Sequence, residues 1–292
     1  MARKSSGLWR RNELTAPQKA VMWLFLLFVG ITTFLPMWNV IVVSTTTALE
    51  STRSGIVLWW RQFSLEGFQY VFSVCKLGRP FFNSFLVTTV GTVIQVFLSS
   101  IAGYVLVQRD LPFRGAITSF ILLTMMIPGD LTMISIYQLN RDLKLLNTYQ
   151  GLILNGLISG FSILLMRNYF ESISYTLSES ARIDGASEMR IFARIYMPVS
   201  LPGLATVFFM EYVGKWNGIT IPAAILTNEN MYTLPLKLKA MILTTSSVSG
   251  TAQIPDNAIM AAIVISAAPR LIIYVFAQKF LLAGLNLGAT KE

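Results

Sequence analysis

Long apolar runs are the feature that most constrains how this chain can fold. Six runs approach or exceed the length of about 20 residues that crosses the hydrocarbon core of a bilayer. They cover approximately residues 20–43, 81–107, 115–137, 149–166, 199–226 and 258–282. Runs of this length satisfy their backbone hydrogen bonds in lipid as helices. The sequence therefore predicts an all-α, polytopic membrane protein with six transmembrane helices.

The composition agrees with a lipid environment and argues against most enzyme chemistry. Of 292 residues, 54% are hydrophobic and 13% are charged, against about 25% charged in typical soluble domains. The chain has no histidine and one cysteine, which excludes an intramolecular disulfide and the usual His- or Cys-based triads and metal sites. A membrane-bound enzyme would also need ionisable residues clustered at one membrane face, and outside residues 177–198 none is visible.

The chain is expected to form one membrane domain that follows a short polar N-terminal segment. Residues 1–19 are predicted to be a cytoplasmic segment and residues 20–292 the transmembrane domain, with an external loop at 227–257. The first apolar run is too long for the core of a signal peptide, so it is interpreted as an uncleaved span. No internal repeat is visible, unlike the paired halves of many secondary transporters.

Basic residues indicate the orientation, because cytoplasmic loops are enriched in Lys and Arg. With the N-terminus inside, 13 basic residues fall on the inner side and 8 on the outer side. The inner set is Arg3, Lys4, Arg10, Arg11, Lys19, Arg109, Arg114, Arg167, Arg182, Arg190, Arg194, Lys279 and Lys291; the outer set is Arg53, Arg61, Lys76, Arg79, Arg141, Lys144, Lys237 and Lys239. The bias favours a cytoplasmic N-terminus and also accounts for the net charge of +9.

The charged stretch between the fourth and fifth runs has the pattern of two short helices joined by a turn. Residues 176–179 have the pattern of a capping box, and residues 184–187 form a turn signal in which Ser187 can cap the second helix. Met189, Phe192, Ala193 and Tyr196 are expected to share one face of that helix, which Pro198 ends. Small residues at Ala181, Gly185 and Ala186 would allow close approach of another surface. By pattern alone, a docking element for a cytoplasmic partner and a helix lying on the bilayer remain alternatives.

The same stretch resembles the EAA loop of binding-protein-dependent ABC importer permeases. That pattern is Glu-Ala-Ala, three residues, Gly, nine residues and Ile-x-Leu-Pro. Here it reads Glu179-Ser180-Ala181, Gly185 and Ile195-Tyr196-Met197-Pro198, with Ser180 and Met197 as departures. Further matches to the carbohydrate branch are Asp184-Gly185-Ala186-Ser187 with Phe192, Asn83-Ser84, Ala102-Gly103-Tyr104 with Arg109 and Pro112-Phe113-Arg114-Gly115, Trp216-Asn217, and the tail Gly284 to Lys291. The layout is similar to that of the second permease subunit of the maltose transporter.

The resemblance implies a type I ABC importer permease fold and a set of partners. They are a second, non-identical permease, two cytoplasmic ATPase subunits and an external or periplasmic solute-binding protein, in a bacterial inner membrane. It implies that residues 177–198 form the helix pair that couples to an ATPase subunit, through Glu179, Ala181, Asp184, Gly185, Ala186, Phe192 and Pro198. It also implies that residues 227–257 reach the binding protein. The chain lacks Gly-x-x-x-x-Gly-Lys-Ser/Thr, so it is expected to bind no cofactor, with ATP and Mg²⁺ on the partner subunits.

Polar residues inside the spans are candidates for the transport pathway. Glu211 and Lys215 lie four residues apart on the fifth span and either line a wet cavity or form a self-neutralising pair. Trp216 and Asn217 suit a sugar site, although Trp216 also suits structural packing. Arg270 either pairs with Glu211 or attracts an anion.

The sequence gives only indirect evidence about the transported solute, through the basic residues near the predicted pathway. Lys215 and Arg270, together with Lys237 and Lys239, favour an acidic oligosaccharide such as a uronate (alginate-like) fragment as a hypothesis. A permease for a peptide, a polyamine or another non-sugar solute is the alternative. An ion-coupled carrier is disfavoured because there are few intramembrane carboxylates.

Overall fold

The protein is described here by a computed structural model covering residues 15–53, 55–247 and 254–289. Most of the predicted N-terminal cytoplasmic segment, including Arg3, Lys4, Arg10 and Arg11, lies outside these residues. So do residues 248–253 of the predicted external loop and the last three residues of the chain, Lys291 among them.

Helices make up the regular structure of the described residues. The fifteen α-helices are α1 (Ala16–Ser44), α2 (Ala48–Ser51), α3 (Glu66–Ser73), α4 (Gly78–Val107), α5 (Arg114–Met125), α6 (Met133–Asp142), α7 (Tyr149–Leu154), α8 (Gly160–Glu171), α9 (Tyr175–Ile183), α10 (Glu188–Ile191), α11 (Met197–Val199), α12 (Leu201–Asn217), α13 (Thr220–Ile225), α14 (Leu234–Ser247) and α15 (Asp256–Ala289). Short 3₁₀-helices occupy Gly129–Thr132 and Glu229–Met231, and a π-helix occupies Phe192–Tyr196. The all-α prediction is confirmed.

Within the described residues, three helices are by themselves long and apolar enough to cross a membrane. They are α1, α4 and the part of α15 from Asp256 to Lys279. A fourth crossing is possible if Glu188–Val199 and Leu201–Asn217, which meet at a bend of 79°, count as one span. Pro36 and Pro269 lie inside α1 and α15 without ending them.

The remaining apolar runs fall on pairs of shorter helices, so the helices of the described residues that are long enough to span number fewer than the six predicted. The third is α5 and α6, separated by Pro128 and a 3₁₀ turn, because proline lacks the N–H that would continue the helix. The fourth is α7 and α8 with residues 155–159 between them, and the fifth run divides at Gly218 into α12 and α13. Non-helical backbone at such depth is stable where protein or water satisfies it.

Two compact units are distinguished along the chain. The first contains residues up to Tyr70 together with Ile254–Val264. Within it the buried Asn257 amide donates to the Thr46 carbonyl at 3.0 Å. Gly67 packs directly against the backbone there, since a Cβ at this position would lie 2.8 Å from the Asn257 oxygen. This close contact ties the start of α15 to the segment after α1.

The second unit contains Val71–Gln253 and the residues from Ile265 onward, and α4 is its central helix. α4 packs against α7, α8, α12 and α14. Its buried face is rich in small and polar residues: Ser84, Thr88, Gly91, Thr92, Gln95, Ser99, Ser100 and Gly103. A Cβ at Gly103 would lie 2.9 Å from the Arg167 nitrogen of α8. Small residues of this kind allow membrane helices to approach closely.

Candidate functional site

The candidate coupling element is a hairpin, residues 175–199, made of α9, a turn, α10, the π-helix and α11. Its turn is a Schellman motif: the Ala186 N–H donates to the Ala181 carbonyl at 2.9 Å and the Gly185 N–H to the Arg182 carbonyl at 3.0 Å. Gly185 has φ +77°, a left-handed conformation that glycine adopts without strain. The predicted turn at residues 184–187 is therefore present. Its left-handed position is the one that requires glycine, at residue 185.

The predicted caps of the hairpin helices are wrong in detail. α9 begins at Tyr175 with Ser174 as its N-cap residue, so residues 176–179 lie inside the helix and form no capping box. The Ser174 and Thr176 hydroxyls bond to each other at 2.7 Å instead. Ser187 does occupy the N-cap position of α10, but its side chain makes no capping hydrogen bond.

The inner face of the hairpin is packed into an aromatic cluster of the second unit. Phe192 and Tyr196 are buried, and their ring centroids lie 5.3 and 4.8 Å from that of Tyr104 on α4. Phe170 of α8 lies 5.4 Å from Tyr196. The Tyr196 hydroxyl also meets the buried Ser178 hydroxyl at 2.9 Å, which joins the two arms of the hairpin.

Two residues expected on this face are elsewhere. Met189 is 63% exposed and Ala193 is exposed, whereas Ile191 is buried. The π-helix at Phe192–Tyr196 adds a residue to the turn, so regular 3.6-residue spacing does not hold across it. Ala181 and Ala186 pack against the chain's own cluster, which means that their small side chains allow close approach to its own helices.

Arg182 lies at the centre of a polar cluster that fastens the hairpin to the end of α4. Its guanidinium donates to both oxygens of Glu188, at 2.6 and 3.2 Å, and to Gln108 Oε1 at 2.7 Å. It also donates to the Tyr175 hydroxyl at 3.0 Å, and Tyr104 Oη donates to Glu188 at 2.5 Å. We call these five residues the Arg182 clamp. Arg109 adds a cation–π contact, its guanidinium lying 4.2 Å from the centre of the Tyr175 ring.

At the turn, the outer face of the hairpin is exposed. A Cβ at Gly185 would meet nothing within 4 Å, and Glu179 and Asp184 are exposed. Ile183, 86% exposed, stands beside them. Together these residues present a small surface that is apolar at its centre and acidic at its rim. Pro198, exposed at the far end, lies in α11.

The two ionisable residues of the fifth run have different partners. The Glu211 carboxylate accepts a hydrogen bond from Ser162 of α8, and the Lys215 ammonium donates to the Gly156 carbonyl between α7 and α8. The Lys215 stem also passes Gly91 of α4, whose Cβ would lie 3.7 Å from its Cδ. A cation at the end of α7 complements the negative end of that helix dipole.

Glu211 and Lys215 both line a cavity of about 310 Å³ in the second unit. Its polar wall also includes Ser84, Thr88 and Asn155. Of the two alternatives for this pair, a position on a cavity wall describes the geometry, and whether the cavity belongs to the transport pathway stays a prediction.

Trp216 and Asn217 point to different environments. Trp216 is only 1% exposed, stacks on Tyr212 at 6.0 Å and donates through Nε1 to the Ser266 carbonyl at 2.9 Å. Its role is packing, because no sugar can reach its buried ring in this conformation. Asn217 is exposed, and its Oδ1 accepts from Arg270 at 2.6 Å. Arg270 therefore bonds this amide rather than the carboxylate of Glu211.

Asn217 lines a second, open concavity of about 370 Å³. Its other lining residues are Ile219, Pro235, Leu238, Lys239, Ile242, Leu243 and Ser266. The wall is thus mostly apolar, with an amide and a cation at its edge. Arg270 adds a second cation next to the amide.

The loop after α13 is anchored by two asparagines. Asn83, at the head of α4, donates to the carbonyls of Asn230 and Tyr232, both at 3.0 Å. Asn147 accepts from the backbone N–H groups of Thr227 and Asn228 at 2.7 and 2.9 Å. Sequence reasoning noted Asn83-Ser84 without this role and missed Asn147, whose φ of +56° is typical of asparagine in a turn.

The comparisons with known proteins agree on one family. Residues 95–286 match the family described as binding-protein-dependent transport system inner membrane component. The polygalacturonan/rhamnogalacturonan transport system permease protein YtcP of Bacillus subtilis is 32% identical over 275 residues, covering 91% of this chain and 96% of that protein. The arabinooligosaccharides transport system permease protein AraQ of Halalkalibacterium halodurans is 30% identical over 267 residues, covering 90% and 93%.

The fold is shared with a solved transporter. A chain of a bacterial ABC transporter involved in the import of the acidic polysaccharide alginate superposes with a TM-score of 0.83 at 24% identity, covering 92% of this chain and 99% of that one. The fold prediction is confirmed by this match. Taken with the family match, it shows that the chain belongs to the inner membrane components of binding-protein-dependent transport systems, the permease subunits of ABC importers.

Proposed function

We propose that this chain forms one half of the pathway of an ATP-driven oligosaccharide importer. A second, non-identical permease would complete the pathway, and two ATPase subunits would hold ATP and Mg²⁺. An external binding protein would deliver the sugar. In this arrangement the chain is a multi-pass protein of a bacterial inner membrane with a cytoplasmic N-terminus, as the bias of basic residues favours.

The observation that carries the proposal is the construction of the hairpin. One face is fixed by buried aromatic rings and by the Arg182 clamp, while Ile183, Asp184 and Gly185 at the turn are exposed. An element that is rigid on one side and open on the other is suited to transmit displacement. The docking surface we assign to an ATPase subunit consists of Glu179, Ile183, Asp184 and Gly185.

The residues named from the family pattern then divide into two roles. Glu179, Asp184 and Gly185 would contact the ATPase subunit. Ala181, Ala186 and Phe192 would hold the hairpin on the membrane helices, because they pack inward. Pro198 would set the direction in which the chain leaves the hairpin towards α12, where the axis bends by 79°.

For the substrate, we propose an oligosaccharide that carries carboxylates. The concavity at Asn217 combines apolar walls for C–H surfaces with an amide, Lys239 and the neighbouring Arg270. Such a surface would attract a uronate more than a neutral sugar. The name of YtcP includes polygalacturonan, a uronate polymer, and the solved neighbour imports alginate, whereas AraQ is named for a neutral sugar. Glu211 and Lys215 would border the pathway from the deeper cavity.

Reconstitution with the co-expressed partners tests the proposal. The complex in liposomes, loaded with ATP, should import sugar only when the external binding protein is present. Oligouronates should compete better than neutral oligosaccharides of equal length in binding and uptake. Preference for neutral sugars would reject the acidic substrate alone. Transport by the isolated chain without ATP would reject the importer, and uptake of peptides or polyamines would favour the other solute class.

A further inference from the structure

Five aromatic rings form a continuous row in the first unit. They are Phe34 and Trp38 on α1 and Trp59, Trp60 and Phe63 in the segment that follows α2. Successive ring centroids lie 5.9, 6.4, 4.8 and 6.0 Å apart. We call this row the aromatic ridge. None of its residues belongs to the hairpin or lines the two cavities of the second unit.

The segment carrying the ridge is pinned along the end of α1. Trp38 Nε1 donates to the Leu58 carbonyl at 2.8 Å, and the Asn39 amide donates to the Val57 carbonyl at 3.1 Å. At the far end, the buried Glu50 carboxylate accepts the backbone N–H groups of Arg61 and Gln62 at 2.9 and 3.1 Å. The loop therefore has a defined position against the helix.

The side chains held in this position are apolar and exposed. Trp59 and Ile56 are each 68% exposed, Phe63 is 60% exposed and Phe34 is 58% exposed. A contiguous exposed apolar surface of this kind marks an interaction site. Two of its rings, Phe34 and Trp38, stand on α1, which has no buried residue in its apolar window.

The length of α1 places the ridge at a membrane boundary. Lys19 is the last charged residue before the apolar run, and Asn39 is the next residue with a strongly polar side chain apart from two threonines. The hydroxyls of these threonines, Thr32 and Thr33, bond back to carbonyls of the same helix. At about 1.5 Å per residue, the interval from Lys19 to Asn39 spans about 30 Å, the thickness of the hydrocarbon core. A span of this length would end near Trp38, at the level where acyl chains meet headgroups.

We propose that the aromatic ridge, with Ile56, is a membrane-interface anchor whose partner is the lipid headgroup–acyl boundary at the Ser44 end of α1. Tryptophan is enriched at this depth because its ring is apolar and its N–H is polar. Arg61, exposed at the edge of the ridge, suits contact with anionic phosphates. A sugar platform is disfavoured because Trp38 Nε1 and the Asn39 amide, two groups beside the ridge that could bond sugar hydroxyls, already bond the backbone.

Site-directed spin labelling measures the depth of the anchor. The full-length protein, in the assembly in which it purifies, carries Cys75→Ser and either Ile56→Cys or, as the control, Thr52→Cys. After reconstitution into phosphatidylethanolamine–phosphatidylglycerol vesicles, collision rates with oxygen and with an aqueous nickel chelate are compared. The Ile56 label should favour oxygen and lie about 5–10 Å below the phosphates, the depth of interfacial segments. The exposed, polar Thr52 position should favour the nickel chelate.

A second measurement needs no label at the ridge. Brominated lipids should quench the tryptophan fluorescence of the unlabelled protein, and the Trp59→Phe, Trp60→Phe variant should lose part of this quenching. Equal nickel accessibility at both labelled positions, with no loss of bromolipid quenching in the variant, would overturn the anchor. Protection of the Ile56 label only on addition of an oligouronate, the binding protein or a partner permease would assign the ridge to that partner instead. None of these outcomes depends on the importer proposal, which the uptake assay tests separately.

Discussion

Arg182 and Glu188 stand on opposite sides of the hairpin turn, and the guanidinium reaches both carboxylate oxygens, at 2.6 and 3.2 Å. Because the same guanidinium also donates to Gln108, one side chain links both arms of the hairpin to the end of α4. Arg182 lies in α9 and Glu188 in α10, six residues apart in sequence. The turn at Gly185 between these helices brings the two side chains together.

Arg182→Ala should separate ATP hydrolysis from uptake. Hydrogen bonds to charged groups contribute about 1.5–3 kcal/mol, and less where solvent reaches them, as at the half-exposed Glu188. A loss of about 1 kcal/mol would reduce sugar imported per ATP about fivefold, while hydrolysis continues. Arg182→Lys should recover part of the ratio, and Arg141→Ala, which removes an arginine paired only with its neighbour Asp142, should leave it unchanged. An unaltered ratio in Arg182→Ala would show that the clamp transmits nothing.

Gly185→Val should impair the hairpin more than Gly185→Asn. A β-branched residue is strained at φ +77°, at a cost of about 1–2 kcal/mol, whereas asparagine tolerates this conformation. Since the surrounding space is open, any loss in Gly185→Asn reports on the partner. Gly185→Asp has the same shape and adds a charge, and we expect it to lower ATPase association further. Measurement of complex yield and of uptake separates these effects, and equal behaviour of all three variants would remove Gly185 from the contact.

Gly156→Ala should destabilise the second unit. The added methyl group would displace the flexible end of the Lys215 side chain, so the ammonium would lose its bond to the Gly156 carbonyl, and a hydrogen bond to a charged group contributes about 1.5–3 kcal/mol. Gly214→Ala is the matched control, because its Cβ meets nothing within 4 Å. Thermal unfolding in detergent should show a lower midpoint for Gly156→Ala only. A midpoint equal to that of the control would mean that the Lys215 contact does not contribute.

Lys239→Gln should weaken uptake of acidic oligosaccharides selectively. Two unit charges about 4 Å apart in water interact by about 1 kcal/mol, which corresponds to roughly a fivefold change. Lys237→Gln is the control, because this lysine is already paired with Glu229 at 2.8 Å. The measurement is the uptake of oligouronates and of neutral oligosaccharides by each variant. Only Lys239→Gln should show a lower ratio of oligouronate to neutral uptake. A parallel loss for both sugar classes would argue against a charge contact.

The first unit should lose stability in acid through Glu50. The backbone N–H of Arg61 and then that of Gln62 hold the pKa of this carboxyl below its ordinary value, although burial opposes the shift. Because the folded pKa is depressed, the stabilisation is present above the unfolded pKa and disappears as the pH falls through the folded pKa. Thermal unfolding followed against pH should show this dependence in the wild type and less of it in Glu50→Gln. The same slope in both would assign the acid sensitivity to other groups.

Much of the fold follows from the sequence, and the exceptions have physical causes. Hydrophobic run length predicts α1, α4 and α15 because each run is long and almost free of charged residues. It does not predict where α7 ends and α8 begins, since the residues between them are stabilised by the side chain of Lys215, far away in sequence. The turn at Gly185 could be predicted from local chemistry. The π-helix at Phe192–Tyr196 could not, because no residue pattern signals it.

The separate partners of Glu211 and Lys215 have a mechanical consequence. Had the two side chains satisfied each other within α12, that helix could slide past its neighbours without losing an ionic contact. Instead the carboxylate is bonded to Ser162 on α8 and the ammonium to Gly156 just before it. A shift of α12 by a single turn would break both of these hydrogen bonds at once. These bonds therefore couple α12 to α8 and to the segment between α7 and α8. We expect a displacement of the hairpin to move these elements together.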